Sequence, residues 1–124
     1  MPKILVVDDE QVQIDYLTVD LKMGGWETGS ANNGVEAVLK VIEQKWDVLL
    51  MDIRMPRLDG LGALEIIRKL DPDLPVIMFT GQAGQGDMYR STNLGAYTCL
   101  LKPVDLDQLH NVIDEVLAYH PRTG

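Results

Sequence analysis

Near its amino end the chain reads Lys3-Ile4-Leu5-Val6-Val7, a short and nearly continuous apolar run that is rich in β-branched residues. A strand exposed on one face alternates apolar and polar residues, whereas a continuous run is typical of a strand buried on both faces of a parallel sheet. Further along the chain the same character recurs in Trp46–Met51, Pro75–Phe79 and Thr98–Leu101. The more polar stretch Trp26–Ala31 predicts a weaker strand near an edge of that sheet.

Segments of helical period separate these runs. The apolar residues expected to face the sheet are Ile14, Leu17 and Leu21; Val35, Val38 and Ile42; Leu61, Leu64, Ile67 and Leu70; and Leu106, Leu109, Ile113 and either Val116 or Leu117. Gly24-Gly25 ends the first helix, and Asp105 followed by Gln108 resembles a capping box that begins the last one. A β-α unit repeated five times predicts an α/β fold, namely a five-stranded doubly wound parallel sheet with five helices.

The segment Gly81–Gly95 differs from the other connections because it is rich in glycine and poor in apolar residues. It predicts a loop and one short, weak helix around Asp87–Leu94. Elements of low local stability are the ones that move in conformational switches, so we expect any switching in this fold to involve this segment.

The composition is that of one globular domain. A length of 124 residues fits a single domain, and 46% hydrophobic with 24% charged residues argues against disorder. Fully apolar runs reach only four residues, so we expect no membrane span, and the amino end does not resemble a signal peptide. A single cysteine excludes an intrachain disulfide and fits a reducing compartment, which predicts a cytoplasmic protein. The net charge of −8 disfavours binding of nucleic acid or an anionic membrane by this domain.

Polar residues follow the predicted strands where a parallel sheet binds its ligands. The first strand ends in Asp8-Asp9-Glu10, the third in Asp52, the fourth in Thr80 and the fifth in Lys102-Pro103. Clustered carboxylates repel one another, and a hard divalent cation such as Mg²⁺ compensates them. Together with a lysine and a hydroxyl, such a cation could neutralise a transferring phosphoryl group, with an aspartate as its acceptor.

Simpler interpretations exist for each residue taken alone. Asp8-Asp9 could cap the first helix, Asp52 could be a turn residue, and Thr80 could cap a strand end. Asp59-Gly60 predicts a helix N-terminus without chemistry. Only the convergence of these side chains at one edge of the sheet favours the functional interpretation.

The ordered set of motifs resembles the response-regulator receiver domains of two-component signalling. The matching stretches are Ile4–Glu10, Ala31–Ala37 and Asp52–Gly60, followed in order by Thr80-Gly81, Gly95-Ala96 and Lys102-Pro103. The resemblance covers about residues 2–119 and implies the flavodoxin-like receiver topology, with residues 1–119 as the receiver domain and residues 120–124 as a C-terminal tail that we expect to be frayed.

The resemblance also implies a role for each residue at the strand ends. Asp52 matches the phosphoacceptor. Asp9 matches a direct Mg²⁺ ligand, Asp8 matches a ligand through water, and the backbone carbonyl of Arg54 matches the third protein ligand beside Asp52 itself.

Two further residues match the phosphoryl-stabilising positions of the family. Thr80 matches the hydroxyl that bonds the phosphoryl oxygen and reports its presence, and Lys102 matches the lysine that pairs with the phosphoryl group. The Lys102–Pro103 peptide bond is expected to be cis.

The sequence departs from the family at the switch position. An aromatic residue usually lies three residues before the lysine, and here that residue is Cys99. Tyr97 could substitute for it, because alternation along a strand would place the Tyr97 side chain on the same face. Otherwise the signal would pass through the backbone of Gly81–Gly95, which is the route that we favour.

The family resemblance implies a phosphorylation-dependent switch that catalyses only its own phosphorylation and dephosphorylation and is otherwise not an enzyme. Its partners would be a histidine kinase or a histidine phosphotransfer protein, with homodimerisation on phosphorylation as a further expectation. The alternative is a phosphorylation-independent receiver that acts as a protein-interaction module. An aspartyl-nucleophile phosphatase would need a second aspartate at position 54, which is Arg54, and a flavin-binding domain would need a phosphate-binding loop after the first strand.

Overall fold

The computed structural model describes residues 1–81 and 85–122. Within them the chain alternates five strands with five helices, in the order β1 (Lys3–Val7), α1 (Gln11–Met23), β2 (Glu27–Ala31), α2 (Gly34–Glu43), β3 (Val48–Asp52), α3 (Gly60–Leu70), β4 (Val76–Thr80), α4 (Gln85–Asn93), β5 (Thr98–Leu101) and α5 (Leu106–Tyr119). Residues 82–84 of the predicted glycine-rich loop and residues 123–124 of the predicted tail lie outside the described residues. No helix of the described part has the length and apolar character needed to cross a bilayer.

The five strands form one parallel sheet in the order β2-β1-β3-β4-β5. Every residue of β3 and β4 is buried, as the continuous apolar runs predict, whereas β2 is only partly buried and lies at an edge. Strands β3 and β4 end at Asp52 and Thr80, as predicted, but they begin at Val48 and Val76, later than the predicted Trp46 and Pro75. The two polar side chains therefore occupy the last positions of neighbouring strands.

Successive residues of the strands enter two separate hydrophobic cores. Leu5 and Val7 pack with α2, α3 and α4 on one face of the sheet, and Ile4 and Val6 pack with α1 and α5 on the other. The helices thus cover both faces, which confirms the doubly wound fold.

Helix α2 buries a face that only partly matches the predicted one. Val38 packs against the core as predicted, but Val35 and Ile42 are exposed, whereas Gly34 and Ala37 are buried. A Cβ at Gly34 would lie 2.1 Å from the carbonyl oxygen of Leu58, so the helix approaches this loop too closely for a large residue. Small residues therefore determine which face of α2 is buried, and the spacing of its large apolar residues does not identify that face. Leu70, expected in the α3 stripe, is likewise half exposed.

The C-terminal segment is anchored, contrary to the expectation of a frayed tail. The guanidinium of Arg122 donates two hydrogen bonds to the carboxylate of Asp71, at 3.1 and 2.5 Å, and both side chains are largely buried. The ion pair between Arg122 and Asp71 therefore holds the chain, as far as Arg122, against the end of α3.

Tyr97 does not share a face with Cys99. Cys99 belongs to the core beneath α3 and α4, whereas Tyr97 packs against the opposite core, where its hydroxyl donates to Glu115. Strand β5 begins only at Thr98, so the alternation of strand side chains does not extend to Tyr97. The prediction that the Tyr97 side chain lies on the same face as Cys99 is wrong, and the alternative in which Tyr97 substitutes for the aromatic residue loses its basis.

Gly60 fixes the loop that follows β3. Its amide donates to the carbonyl of Ile53 at 2.8 Å, and a Cβ there would lie 2.3 Å from the carbonyl oxygen of Asp52. Gly60→Ala should therefore destabilise the fold by about 1–3 kcal/mol, the usual cost of overpacking, measured by urea unfolding. Gly86→Ala is the matched control, because a Cβ at Gly86 would meet no described atom within 4 Å. That variant should be neutral or gain up to about 1 kcal/mol, and equal losses in both variants would contradict the close approach at Gly60.

Candidate functional site

The site lies at the carboxyl edge of the sheet. Asp52 closes β3 and Thr80 closes β4, while Asp8 follows β1 and Lys102 follows β5. The amide of Lys102 donates to the carbonyl of Thr80 at 2.8 Å, which fixes the start of the loop after β5. The Lys102–Pro103 bond is cis, as the family resemblance implies.

One ammonium group joins the two buried carboxylates. The Nζ atom of Lys102 lies 3.0 Å from Oδ2 of Asp8 and 3.2 Å from Oδ2 of Asp52. Asp8 is 2% exposed and Asp52 is 5% exposed, so bulk water does not solvate the charge of either carboxylate. The structure thus brings together three of the residues that the sequence predicts, from strands that are far apart along the chain.

The electrostatics of this cluster leave negative charge in excess. Burial raises the pKa of Asp52 above its ordinary value; Lys102 opposes that rise, and the charge of Asp8 adds to it. Burial lowers the pKa of Lys102, but the hydrogen bond from Lys102 to Asp8 and the charges of Asp52 and Asp8 more than offset this effect, and the net shift is upward. Lys102 therefore stays charged and compensates only part of the carboxylate charge.

Three acidic side chains gather where β1 ends. Asp8, Asp9 and Glu10 each offer a ligand atom, and these atoms lie within 4.8 Å of one another; Asp8 is buried and the other two are exposed. Glu10 was not among the residues predicted as ligands, although it belongs to the same motif. Its backbone amide donates to Oδ1 of Asp8 at 3.0 Å, which orients that carboxylate.

The capping interpretation of these aspartates is wrong. The N-cap of α1 is Glu10, and no side chain caps that helix by a hydrogen bond. In contrast, Asp59 does cap α3, where its side chain accepts from the amide of Gly62 at 2.9 Å, as predicted.

The donor set fits a hard divalent cation. Its available atoms are carboxylate oxygens, one of them on a buried residue already held by a backbone amide, and Lys102 alone does not balance their charge. Mg²⁺ prefers a few carboxylate oxygens and keeps several waters, which suits a site that is buried at Asp8 and open at Asp9.

Comparison with known protein families identifies the kind of domain that carries this edge of the sheet. The family described as "Response regulator receiver domain" matches residues 4–114. This chain belongs to that family. The contacts of Lys102 with Asp8 and Asp52 therefore belong to a receiver domain. The family predicted from the sequence is confirmed.

Curated relatives are longer proteins. The transcriptional regulatory protein ZraR of Klebsiella oxytoca is 36% identical over 116 residues, which are 94% of this chain and 26% of that protein. The regulatory protein AtoC of Escherichia coli is 37% identical over 115 residues, which are 93% of this chain and 25% of that protein. The chain thus spans about a quarter of the length of these relatives.

A solved receiver structure shares the fold of this chain. The response regulator TrrA of Thermotoga maritima, in complex with Mg²⁺ and beryllofluoride, superposes with a TM-score of 0.86 at 32% identity, covering 94% of this chain and all of that one. The receiver topology predicted from the order of strands and helices is confirmed.

The switch region of this receiver domain contains small and polar groups. Thr80 is completely buried, and Cys99 is 7% exposed. Burial raises the pKa of the Cys99 thiol, and a hydrogen bond with Ser91 opposes this rise only in part.

The sequence does not reveal the role of Asp87. This carboxylate is buried in the first turn of α4 and bonds the guanidinium groups of Arg54 and Arg90, each at 2.9 Å. An aspartate at the start of a helix is common on exposed surfaces, so no local signal identifies this one as buried.

Proposed function

We propose that this chain is a phosphorylation-dependent switch in which Asp52 accepts a phosphoryl group from a phosphohistidine on a histidine kinase or a phosphotransfer protein. The observation that carries the proposal is the position of Lys102, whose ammonium group bonds Asp8 and Asp52 together. A carboxylate and a cation held in contact at the carboxyl edge of the sheet can act as phosphoryl acceptor and charge stabiliser.

The proposed transfer conserves atoms and charge. A carboxylate oxygen of Asp52 attacks phosphorus and the P–N bond of the donor breaks. The imidazole leaves with the bonding electron pair, and it leaves neutral because its other ring nitrogen already carries a proton. The product on Asp52 is an acyl phosphate. Lys102 pairs with the phosphoryl oxygens, and Thr80 donates its hydroxyl hydrogen to one of them. Hydrolysis by water then restores the carboxylate.

Asp8, Asp9, Asp52 and the backbone carbonyl of Arg54 would hold Mg²⁺ at this site. When bound, the cation supplies positive charge that offsets the carboxylates and the phosphoryl oxygens. The proximity of Asp8, Asp9 and Glu10 supports this ligand set and adds Glu10 as a further acceptor for the ion or its waters. TrrA, which is solved with Mg²⁺ and beryllofluoride, supports it by analogy.

A phosphodonor with a P–N bond tests the function itself. Incubation with phosphoramidate and Mg²⁺ should add one phosphoryl group that hydroxylamine removes, and the group should disappear after the donor is removed. Intact-mass measurement over time follows both steps, and chain unfolded in urea is the control. A folded chain that never gains the group would favour the alternative, a receiver that acts only as an interaction module.

The same proposal covers the organisation of the chain and its partners. Residues 1–119 would form the functional unit and residues 120–124 a tail, and phosphorylation could favour a homodimer. The single cysteine supports a reducing, cytoplasmic location. The net charge of −8 gives the domain itself little affinity for nucleic acid or for anionic membranes.

A further inference from the structure

Helix α4 buries two polar side chains beside the hydrophobic core. Among its residues with described burial, Asp87 and Ser91 are buried one turn apart, Met88 is partly buried against the core, and the large side chain of Tyr89 is 70% exposed. The hydroxyl of Ser91 donates to the carbonyl of Met88 at 2.9 Å. The helices α1, α3 and α5 instead bury leucine, isoleucine and valine.

Asp87 connects this helix to the loop that carries the phosphoacceptor. One of its oxygens, Oδ2, accepts from Arg54 at 2.9 Å, and the other, Oδ1, accepts from Arg90 within the same helix at 2.9 Å. Arg54 lies two residues after Asp52 and 33 residues before Asp87. The hydrogen bond from Arg90 lowers the pKa of Asp87, and the charge and hydrogen bond of Arg54 add to this effect against the opposing effect of burial.

The Arg54 guanidinium lies at the surface, on a residue two positions after Asp52. Its side chain is 60% exposed, so it can change partner without crossing the core, whereas the Asp87 side chain is 7% exposed. A phosphoryl group carries about −1.5 to −2 charges and three strong acceptor oxygens. Guanidinium groups bind phosphoryl oxygens through two parallel hydrogen bonds, which a single carboxylate oxygen does not offer.

We propose that the Arg54–Asp87 ion pair couples the phosphorylation site to α4: a phosphoryl group on Asp52 draws Arg54 away from Asp87 and releases the first turn of the helix. This inference rests on the proposed function, and it names the contact by which that site would be read. Once Arg54 leaves, Oδ2 of Asp87 is a buried acceptor that has lost its partner, and the helix must shift to hydrate it. The Arg54 side chain thereby takes over the switch role of the aromatic ring that is absent at position 99.

The neighbouring groups favour this route over the others. Cys99 is too small to report by displacement, and Tyr97 packs in the opposite core, bonded to Glu115. The Arg54–Asp87 pair links α4 directly to the loop after β3. In the proposed mechanism Arg54 pairs either with Asp87 or with the phosphoryl group. A phosphoryl group that binds Arg54 more strongly than Asp87 does shifts the population toward the released helix.

Hydrogen exchange of the amides of Met88–Leu94 tests the coupling, with Mg²⁺ and beryllofluoride as the phosphoryl mimic. In the parent chain the mimic should accelerate their exchange about tenfold, because one buried hydrogen bond to a charged group is lost. Asp87→Asn should exchange fast without the mimic and respond to it by less than twofold. Arg54→Gln should behave in the same way. Arg90→Gln is the matched control, because Arg90 bonds the same carboxylate but does not reach the site loop, and its response should persist. Tyr97→Ala should also keep the response.

Two measurements separate this inference from the proposed function. The melting temperature of the parent with Mg²⁺ and beryllofluoride reports whether the mimic binds, and phosphoramidate labelling of Asp87→Asn reports whether the acceptor works. If the mimic binds and Asp87→Asn is labelled, yet the α4 amides of that variant respond as in the parent, the coupling is wrong while the proposed function stands. If the parent neither binds the mimic nor accepts a phosphoryl group, the proposed function itself fails.

Discussion

Asp52→Asn should abolish phosphorylation of this chain. Incubation of the parent with acetyl phosphate and Mg²⁺ should add one acid-labile phosphoryl group, whereas the variant should gain none. The amide has nearly the shape of the carboxylate but lacks the nucleophilic charge. Intact-mass measurement of both chains under the same conditions gives the result directly.

The fold should survive this substitution. Asp52 is a buried carboxylate whose pKa is raised chiefly by burial, so a neutral amide removes a charge that the folded state holds unfavourably. The metal-free melting temperature of Asp52→Asn should therefore equal or exceed that of the parent. Asp59→Asn is the control, because Asp59 caps α3 and has no role in the proposed transfer, and this variant should be labelled normally. Equal labelling of Asp52→Asn would show that another residue is the acceptor.

Mg²⁺ should stabilise the folded chain, and Asp9→Ala should remove most of that effect. Binding to the folded state alone contributes about 2.7 kcal/mol when free Mg²⁺ is about 100 times its dissociation constant. Asp9 is the exposed member of the predicted ligand set, so its loss removes a ligand without opening a cavity. Thermal melts with and without Mg²⁺ measure the difference.

Asp9→Ala should also raise the metal-free melting temperature. The carboxylates of Asp8, Asp9 and Glu10 lie within 4.8 Å of one another, and removal of one charge relieves their repulsion. Asp15→Ala on α1, the helix that follows Asp9, is the matched control and should keep the full Mg²⁺ response. A shift by Mg²⁺ in Asp9→Ala as large as in the parent would exclude Asp9 as a ligand.

The sequence by itself determined the sheet and the composition of its carboxyl edge. Continuous apolar runs such as Ile4–Val7 predict buried parallel strands, because a strand covered on both faces excludes polar residues. In such a sheet all carboxyl ends lie on the same edge, so residues that follow separate strands come together. The contact of Lys102 with Asp8 and Asp52 follows from this geometry, although the two aspartates are distant from it along the chain.

The local sequence patterns leave open which face of an element is buried and which side chains pair. Only the tertiary structure decided these points. The buried face of α2 depends on how closely Gly34 approaches Leu58, and the apolar period does not contain that distance. The side of the sheet taken by Tyr97 depends on where β5 begins. The pairing of Arg54 with Asp87 depends on the relative position of a loop and a helix 33 residues apart. Periodicity reports burial within one element, whereas ion pairs and close approaches arise between elements, after the strands have set their distances.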